Sequence, residues 1–308
     1  MPNEPLFDPA TLAEIAFPPL VTTSAENWQG HIPFARWLIW KTQPRTYVEL
    51  GVFQGDSYLA FCDAAVRFHA STKCTGIDSW EGDAHAGKLA ETVYQELKAF
   101  HDPQFGTFSD LRRGLFEDVV SEFKDGSIDL LHIDGLHTYE AVKGDFETWL
   151  PKLSERGVVL FHDTQVRERG FGVWQFWNEV CLEYPSFEFH HNFGLGVLAV
   201  GPDAPAPVQE LCRLEAGEAE AVRKLFAYLA ASIAAHVRLK PAASAPYEID
   251  PAAADPSALH ERARTWAREA DEASAKIASL ENAVASMRAS TSWRVTAPLR
   301  KLMGLVKK

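Results

Sequence analysis

Asp134 and Asp163 each follow an apolar run, Ile128–Ile133 and Gly157–Phe161, and each has a histidine close by, His137 and His162. Short continuous apolar runs are the pattern of strands buried on both faces. Two such strands would deliver two carboxylates and two imidazoles to one edge of a sheet. Carboxylate oxygens suit a hard divalent cation such as Mg2+, with water and substrate oxygens completing its sphere. His162 would add a nitrogen donor if the metal is softer, such as Mn2+. The candidate metal ligands are therefore Asp134, His162 and Asp163. His137 lies just past Asp134 and can face the same pocket. An imidazole titrating near neutrality is a suitable general base for a hydroxyl acidified by a metal. The plainer reading makes both aspartates turn caps and His137 a residue of a helix's first turn. Two strand-end acids, each with a histidine, favour chemistry.

A second group lies upstream, in Val48-Glu49-Leu50-Gly51-Val52-Phe53-Gln54-Gly55. A glycine directly after a strand permits a tight turn and lets a ligand approach the backbone, and the helix starting near Gly55 offers unpaired N–H groups. Phe53 occupies the middle glycine position of the dinucleotide fingerprint, so a pyrophosphate fits poorly. A ligand with a ribose and a carboxylate but no phosphate fits better. Asp78 ends the next strand, where a doubly wound fold places the acid that binds ribose hydroxyls. The alternatives are a structural turn for the glycines and a turn cap for Asp78, since Ser79 follows.

These groups need a scaffold, and the chain supplies one. Strands are predicted at Thr46–Leu50, Cys74–Ile77, a segment closing at Arg112–Gly114, Ile128–Ile133, Gly157–Phe161, Phe187–His190 and Gly194–Val200. Helices are predicted between them at Tyr58–Phe68, Leu89–Phe100, Phe116–Phe123, Tyr139–Leu150 and Gly172–Tyr184, with another at Asn27–Lys41 as a lid or flank. The alternation predicts an α/β fold, a doubly wound, Rossmann-like, seven-stranded and mostly parallel sheet covered on both faces. The last two strands are joined too closely for a parallel crossover and must form an antiparallel pair. Residues 1–26 read as an irregular segment with one helical turn near Leu12–Ile15, and 27–201 as the domain carrying the chemistry. Residues 202–256 read as a helix, about Val208–Lys240, between Pro/Ala-rich linkers.

Beyond the linker, Leu259, Ala263, Trp266, Ala270, Ala273, Ile277, Leu280, Val284 and Met287 recur at alternating spacings of four and three. This is a heptad seam with Ile277 and Val284 at a and Leu280 at d, and it predicts an α-helical, coiled-coil C-terminal arm over 257–290. That arm implies a homo-oligomer or a partner protein. A single amphipathic helix folded back on the domain is the alternative. Residues 291–308 mix Arg294, Arg300, Lys301, Lys307 and Lys308 with Trp293, Leu299, Leu302 and Val306, a basic amphipathic tail that could touch a membrane surface.

Composition narrows the rest. The chain has 308 residues, a formal net charge of −12 and 46% hydrophobic residues. Such a charge argues against a nucleic-acid backbone as the main partner. Cys62, Cys74, Cys181 and Cys212 show no C-x-x-C spacing and read as buried reduced thiols. Neither a membrane-spanning apolar stretch nor a signal peptide is apparent, which predicts a cytoplasmic protein, peripheral to the inner membrane face if the tail engages it.

Four segments, Y-V-E-L-G-V-F-Q-G-D-S, G-I-D-S-W, I-D-G-L-H-T-Y-E-A-V and G-V-V-L-F-H-D-T, resemble the successive motifs of class I S-adenosylmethionine-dependent methyltransferases. More narrowly, they are similar to the bacterial group that includes metal-dependent sugar O-methyltransferases. The resemblance covers about residues 28–200. It implies that Glu49, Gly51 and Gly55 line the methionine end of the cofactor, that Asp78 holds the ribose, and that Phe116 and Asp118 flank the adenine. The strand-end D-x-x-H of that group falls on Asp134 and His137, as metal ligand and base, with Asp134 also facing the cofactor. Its later acidic pair falls on His162-Asp163, where histidine replaces the first acid; His162 is then either a ligand or the base. The tail segment S-T-S-W-R-V-T-A-P-L-R is similar to segments beside glycosyltransferase domains of polysaccharide-assembly proteins, which points to a glycan acceptor.

The expected function is S-adenosylmethionine-dependent O-methylation of a hydroxyl on a polysaccharide or glycoconjugate sugar, with Mg2+ or another divalent cation as a further cofactor. The competing readings are a metal-dependent hydroxylase, a glycosyltransferase (though the chain has no D-x-D) and a non-catalytic assembly module.

Overall fold

The computed structural model describes residues 6–16, 27–83, 85 and 87–239. The heptad segment, the second linker and the basic tail lie outside the described residues. Seven strands form one sheet: β1 (Thr46–Leu50), β2 (Lys73–Asp78), β3 (Ser109–Arg113), β4 (Ile128–Ile133), β5 (Leu153–His162), β6 (Ser186–Phe189) and β7 (Leu195–Ala199). Their order is β3-β2-β1-β4-β5-β7-β6. The first five run parallel, and β7 pairs antiparallel with both β5 and β6. The doubly wound sheet and its antiparallel end are as expected from the strand pattern.

Period-two alternation splits each strand between two cores. Tyr47, Leu130, Val158 and Leu160 face one side, where α1 (Pro9–Ile15), α2 (Ile32–Thr42), α3 (Asp56–Arg67), α4 (Glu91–Phe105), α8 (Ala206–Cys212) and α9 (Ala216–Leu239) pack. Val48, Leu131, Val159 and Phe161 face the other, under α5 (Phe116–Val119), α6 (Tyr139–Trp149) and α7 (Val173–Val180).

Two elements depart from the expectation. β5 begins at Leu153 instead of Gly157, with Ser154 buried and its hydroxyl donating to Asp129 at 2.6 Å. The single helix expected over Val208–Lys240 is two, α8 and α9. A second helix starts because the Glu215 backbone N–H donates to the Glu218 carboxylate at 3.2 Å, half of a capping box. The helix before β1 is the expected flank and not a surface lid. Phe34, Trp37 and Leu38 are fully buried, and even Arg36 is enclosed, paired with Asp63 at 3.4 Å. Nor do the flanking segments stand apart from the sheet domain. Ile15 of α1 and Phe226, Leu229 and Ile233 of α9 belong to the same core as β6 and β7. Cys62 and Cys74 are buried as expected, while Cys181 and Cys212 are partly exposed. Among the described residues no helix is long and apolar enough to cross a membrane.

Candidate active site

Register brings the chemistry together. Leu50 pairs with Ile133, and Ile133 with Phe161. The next residues along the three strands, Gly51, Asp134 and His162, therefore lie side by side at the sheet's carboxyl edge. Strand order reverses between β1 and β4, the place where open α/β sheets form a crevice at their carboxyl ends. A cavity of about 920 Å³ opens there, lined by Gly51–Ser57, Asp78, Phe116, Asp134, His137, His162 and Asp163 among others.

The glycine turn is required by contact. Gly51 has φ +90°, and a Cβ there would stand 2.1 Å from the Asp134 carbonyl oxygen. Gly55, at φ +92°, caps the N-terminus of α3. One oxygen of Asp78 accepts the Val52 and Phe53 backbone N–H groups, each at 2.9 Å, and the other accepts that of Trp80 at 2.7 Å. Asp78 thus lines the cavity while clamping the turn, the cap role expected of it.

Glu49 needs correcting. Its side chain is wholly buried and does not line the cavity. Period two puts it on the α3 side of β1 with Tyr47, where its carboxylate accepts from the Tyr47 and Ser57 hydroxyls and lies 3.2 Å from His132 Nδ1. It ties β1 to the first turn of α3. Asp118 is corrected likewise: it is exposed on α5 and outside the cavity wall, whereas Phe116 lines it.

The remaining predicted residues converge. His137 Nε2 sits 3.0 Å from Asp163 Oδ2 and 3.6 Å from Asp134 Oδ1. His162 Nδ1 sits 3.3 Å from Asp134 Oδ1 and 3.5 Å from Asp163 Oδ1. Burial works against charge on these imidazoles, yet the two carboxylates hold His137 up at about 10 and His162 at about 9. Burial likewise opposes an ionised Asp134, but His162 and His137 hold it far below the usual carboxylate range. Asp163 takes a left-handed backbone, φ +63°, a costly conformation for a non-glycine residue that clusters at functional sites.

The same residues suit a cation. One donor atom from each of Asp134, His162 and Asp163 lies within 4.8 Å of the others. His162 Nε2 donates to the Asn192 carbonyl at 3.2 Å, which leaves Nδ1 aimed at the two carboxylates. This is how outer partners orient metal-binding imidazoles. His31, fully buried, donates to the same carbonyl at 3.1 Å.

Sequence reasoning missed the rim. Phe171 stacks on His137 and on His85, centroids 4.5 Å apart in both cases. Arg169 reaches over to donate to the His85 carbonyl at 2.8 Å. Phe53 is 37% exposed and Phe193 50%, and both line the cavity in left-handed backbone, φ +49° and +66°. Polar loops of irregular sequence carry no periodicity from which such positions could be found. Asp145 was also missed, although Ala141, Asp145 and Thr148 form a small, polar row at helical spacing that does face the cavity.

Residues 48–164 match a family model described as "Methyltransferase domain". Over those residues the chain is similar to that family. Its glycine turn, Asp78 and the Asp134–Asp163 cluster all fall within the matched span. An uncharacterized protein of Sinorhizobium fredii is 46% identical over 186 residues, covering 60% of this chain and 20% of the relative. The chain therefore spans about a fifth of that relative's length. Among solved structures, an O-methyltransferase from Bacillus cereus in complex with SAH is 13% identical, with a TM-score of 0.42, covering 62% of this chain and 90% of the other. The O-methyltransferase NovP is 14% identical, with a TM-score of 0.44, covering 55% and 79%.

Proposed function

We propose that the chain is an S-adenosylmethionine-dependent O-methyltransferase whose acceptor is a sugar hydroxyl of a bacterial polysaccharide or glycoconjugate. One observation carries the reading: two carboxylates and two histidines meet at the cavity edge next to a glycine turn whose backbone lines the same cavity. The exposed faces of Phe53 and Phe193 on the same cavity suit the C–H face of a sugar ring. The glycan class is supported by the sequence resemblance.

S-adenosylmethionine supplies a sulfonium methyl, an electrophile that takes an oxygen's electron pair as sulfur departs with its own. A divalent cation held by Asp134, His162 and Asp163 would supply the charge that acidifies a bound hydroxyl. Gly51 and Gly55, both at positive φ, let the turn fold so that its backbone lines the cavity that would receive the donor, and Asp78 fixes that turn. His137 stands beside the cluster to take the hydroxyl proton. It can do so only when its proton is not pinned by Asp134 and Asp163, and neutralising those carboxylates returns its basicity towards the ordinary imidazole range.

Isothermal titration tests the donor half. Saturable binding of S-adenosylmethionine is expected, and no heat at about 1 mM ligand, the upper end of ordinary Michaelis constants, would reject the reading. Methyl transfer into a glycan fraction, with and without chelator, tests the rest. Loss with chelator and recovery with Mg2+ or Mn2+ is expected; transfer unaffected by chelator would remove the cation.

A further inference from the structure

Beside His162 the backbone runs through three successive left-handed residues, Asn192 at φ +44°, Phe193 at +66° and Gly194 at +92°. Two of them are not glycine, and such a run persists only where its surroundings over-determine it. The chain just after β5 holds it from one side. The backbone N–H groups of Asp163 and Gln165 donate to the Gly194 and Phe193 carbonyls at 3.1 and 2.8 Å. Residues 27–31 hold it from the other side. Asn192 Nδ2 donates to the Asn27 carbonyl at 3.4 Å, and His191 Nε2 donates to that of Gly30 at 3.3 Å. Glycine is needed at position 30, because a Cβ there would stand 2.0 Å from Asn192 Oδ1.

His31 makes the central contact. A carbonyl oxygen has two lone pairs. That of Asn192 accepts from His31 Nε2 at 3.1 Å and from His162 Nε2 at 3.2 Å. His31 is fully buried, and its Nδ1 has no hydrogen-bond partner among the described residues. Burial, with His191 and His162 nearby, holds the ring well below the ordinary imidazole value, so it is neutral and carries one proton. The Asn192 carbonyl fixes that proton on Nε2. An apolar ring would fill the same place without an orphaned nitrogen. What the imidazole adds is the bond to Asn192.

We propose that His31 is a positioning residue for the cation site: it pins the Asn192 carbonyl, which in turn holds His162 with Nδ1 facing Asp134 and Asp163. This rests on the reading of Asp134, His162 and Asp163 as the donors to a cation. The same turn bonds the Asp163 backbone, so one clamp sets two of the three donors.

Calorimetric titration of the full chain with Mn2+ alone tests this, with Asp134→Ala as the background. His31→Phe keeps a ring and loses the N–H. Mn2+ binding should weaken by about 10- to 100-fold, the scale for outer partners of metal ligands. His31→Gln, whose amide N–H reaches about as far as Nε2, should recover most of that loss. His31→Asn has the same polarity but a shorter reach, and should not. A merely structural role would affect the two amides alike. Circular dichroism shows which variants fold. Undiminished Mn2+ binding by a folded His31→Phe, or equal binding by His31→Gln and His31→Asn, overturns the role of His31, as does failure of all three to fold. A wild type that binds no more Mn2+ than Asp134→Ala instead overturns the cation site, and the role of His31 with it.

Discussion

At the scale of single residues, the cluster is a set of charges that hold one another. Asp134 faces both imidazoles, so Asp134→Ala is expected to lower methyl transfer by about 100-fold or more, the contribution of a positioned base or ligand. Initial rates at saturating donor check this. Asp145 gives a second prediction. Its folded value of about 7 lies above the unfolded value of about 3.9, so the folded state binds the extra proton between them. Stability should then fall as pH rises from about 4 to 7. Asp145→Asn should flatten that fall, visible as a smaller difference in Tm between pH 5.5 and pH 8. His101 acts in the opposite direction. On the buried face of α4, its Nε2 is 2.7 Å from the Ser109 hydroxyl of β3, and burial outweighs Asp102 to hold it below the ordinary imidazole value. The unfolded chain protonates first, so stability present above about 6.5 is lost as pH falls below it. His101→Gln should remove part of that acid loss; an unchanged profile would place the loss elsewhere.

At the scale of elements, the strand ends were legible and the loops were not. Asp134, His162 and Asp163 could be placed because strand pairing fixes where each chain leaves a sheet, and apolar runs reveal strands. Glu49 was misplaced by one face, since a residue's position at a strand end does not tell whether it looks along the strand or across it to a helix. Asp118 was misplaced for a similar reason on α5, a single helical turn that presents Phe116 to the cavity and Asp118 to water. The rim aromatics come from irregular backbone, where neither period applies. Gly144, inside α6, belongs to this scale. Nothing lies within 4 Å of a Cβ added there. Gly144→Ala should therefore stabilise the chain by roughly 0.5–1 kcal/mol, the ordinary gain of alanine over glycine in a helix. Denaturant unfolding measures this. Because Gly144 lines the cavity, the same change should also narrow it there.

At the scale of the whole molecule, the sheet's α9 side is closed by segments that sequence reading set aside as appendages. Phe226 of α9 packs on Phe7, Phe34 and Phe189 with centroids 5.0–5.9 Å apart. Composition marked the proline-rich stretch around 202–207 as a boundary, but composition does not tell whether the helix beyond it returns to the core. Phe226→Ala is expected to cost about 3–5 kcal/mol. A chain ending at residue 201 should expose Phe34 and Phe189 and aggregate, which size-exclusion chromatography would detect; a monodisperse, cooperatively folding product would refute this.

Phe53 and Phe193 are disfavoured twice, as large apolar side chains left partly in water and as non-glycine residues in left-handed backbone. Mutational drift governed by folding alone would replace both with glycine or asparagine, which relieve the backbone and remove the exposed ring. Each therefore costs stability where it stands, and both stand in the wall of the cavity. In a pooled mutational scan the two positions should separate: glycine enriched when the library is sorted for folded protein, and depleted when it is sorted for turnover.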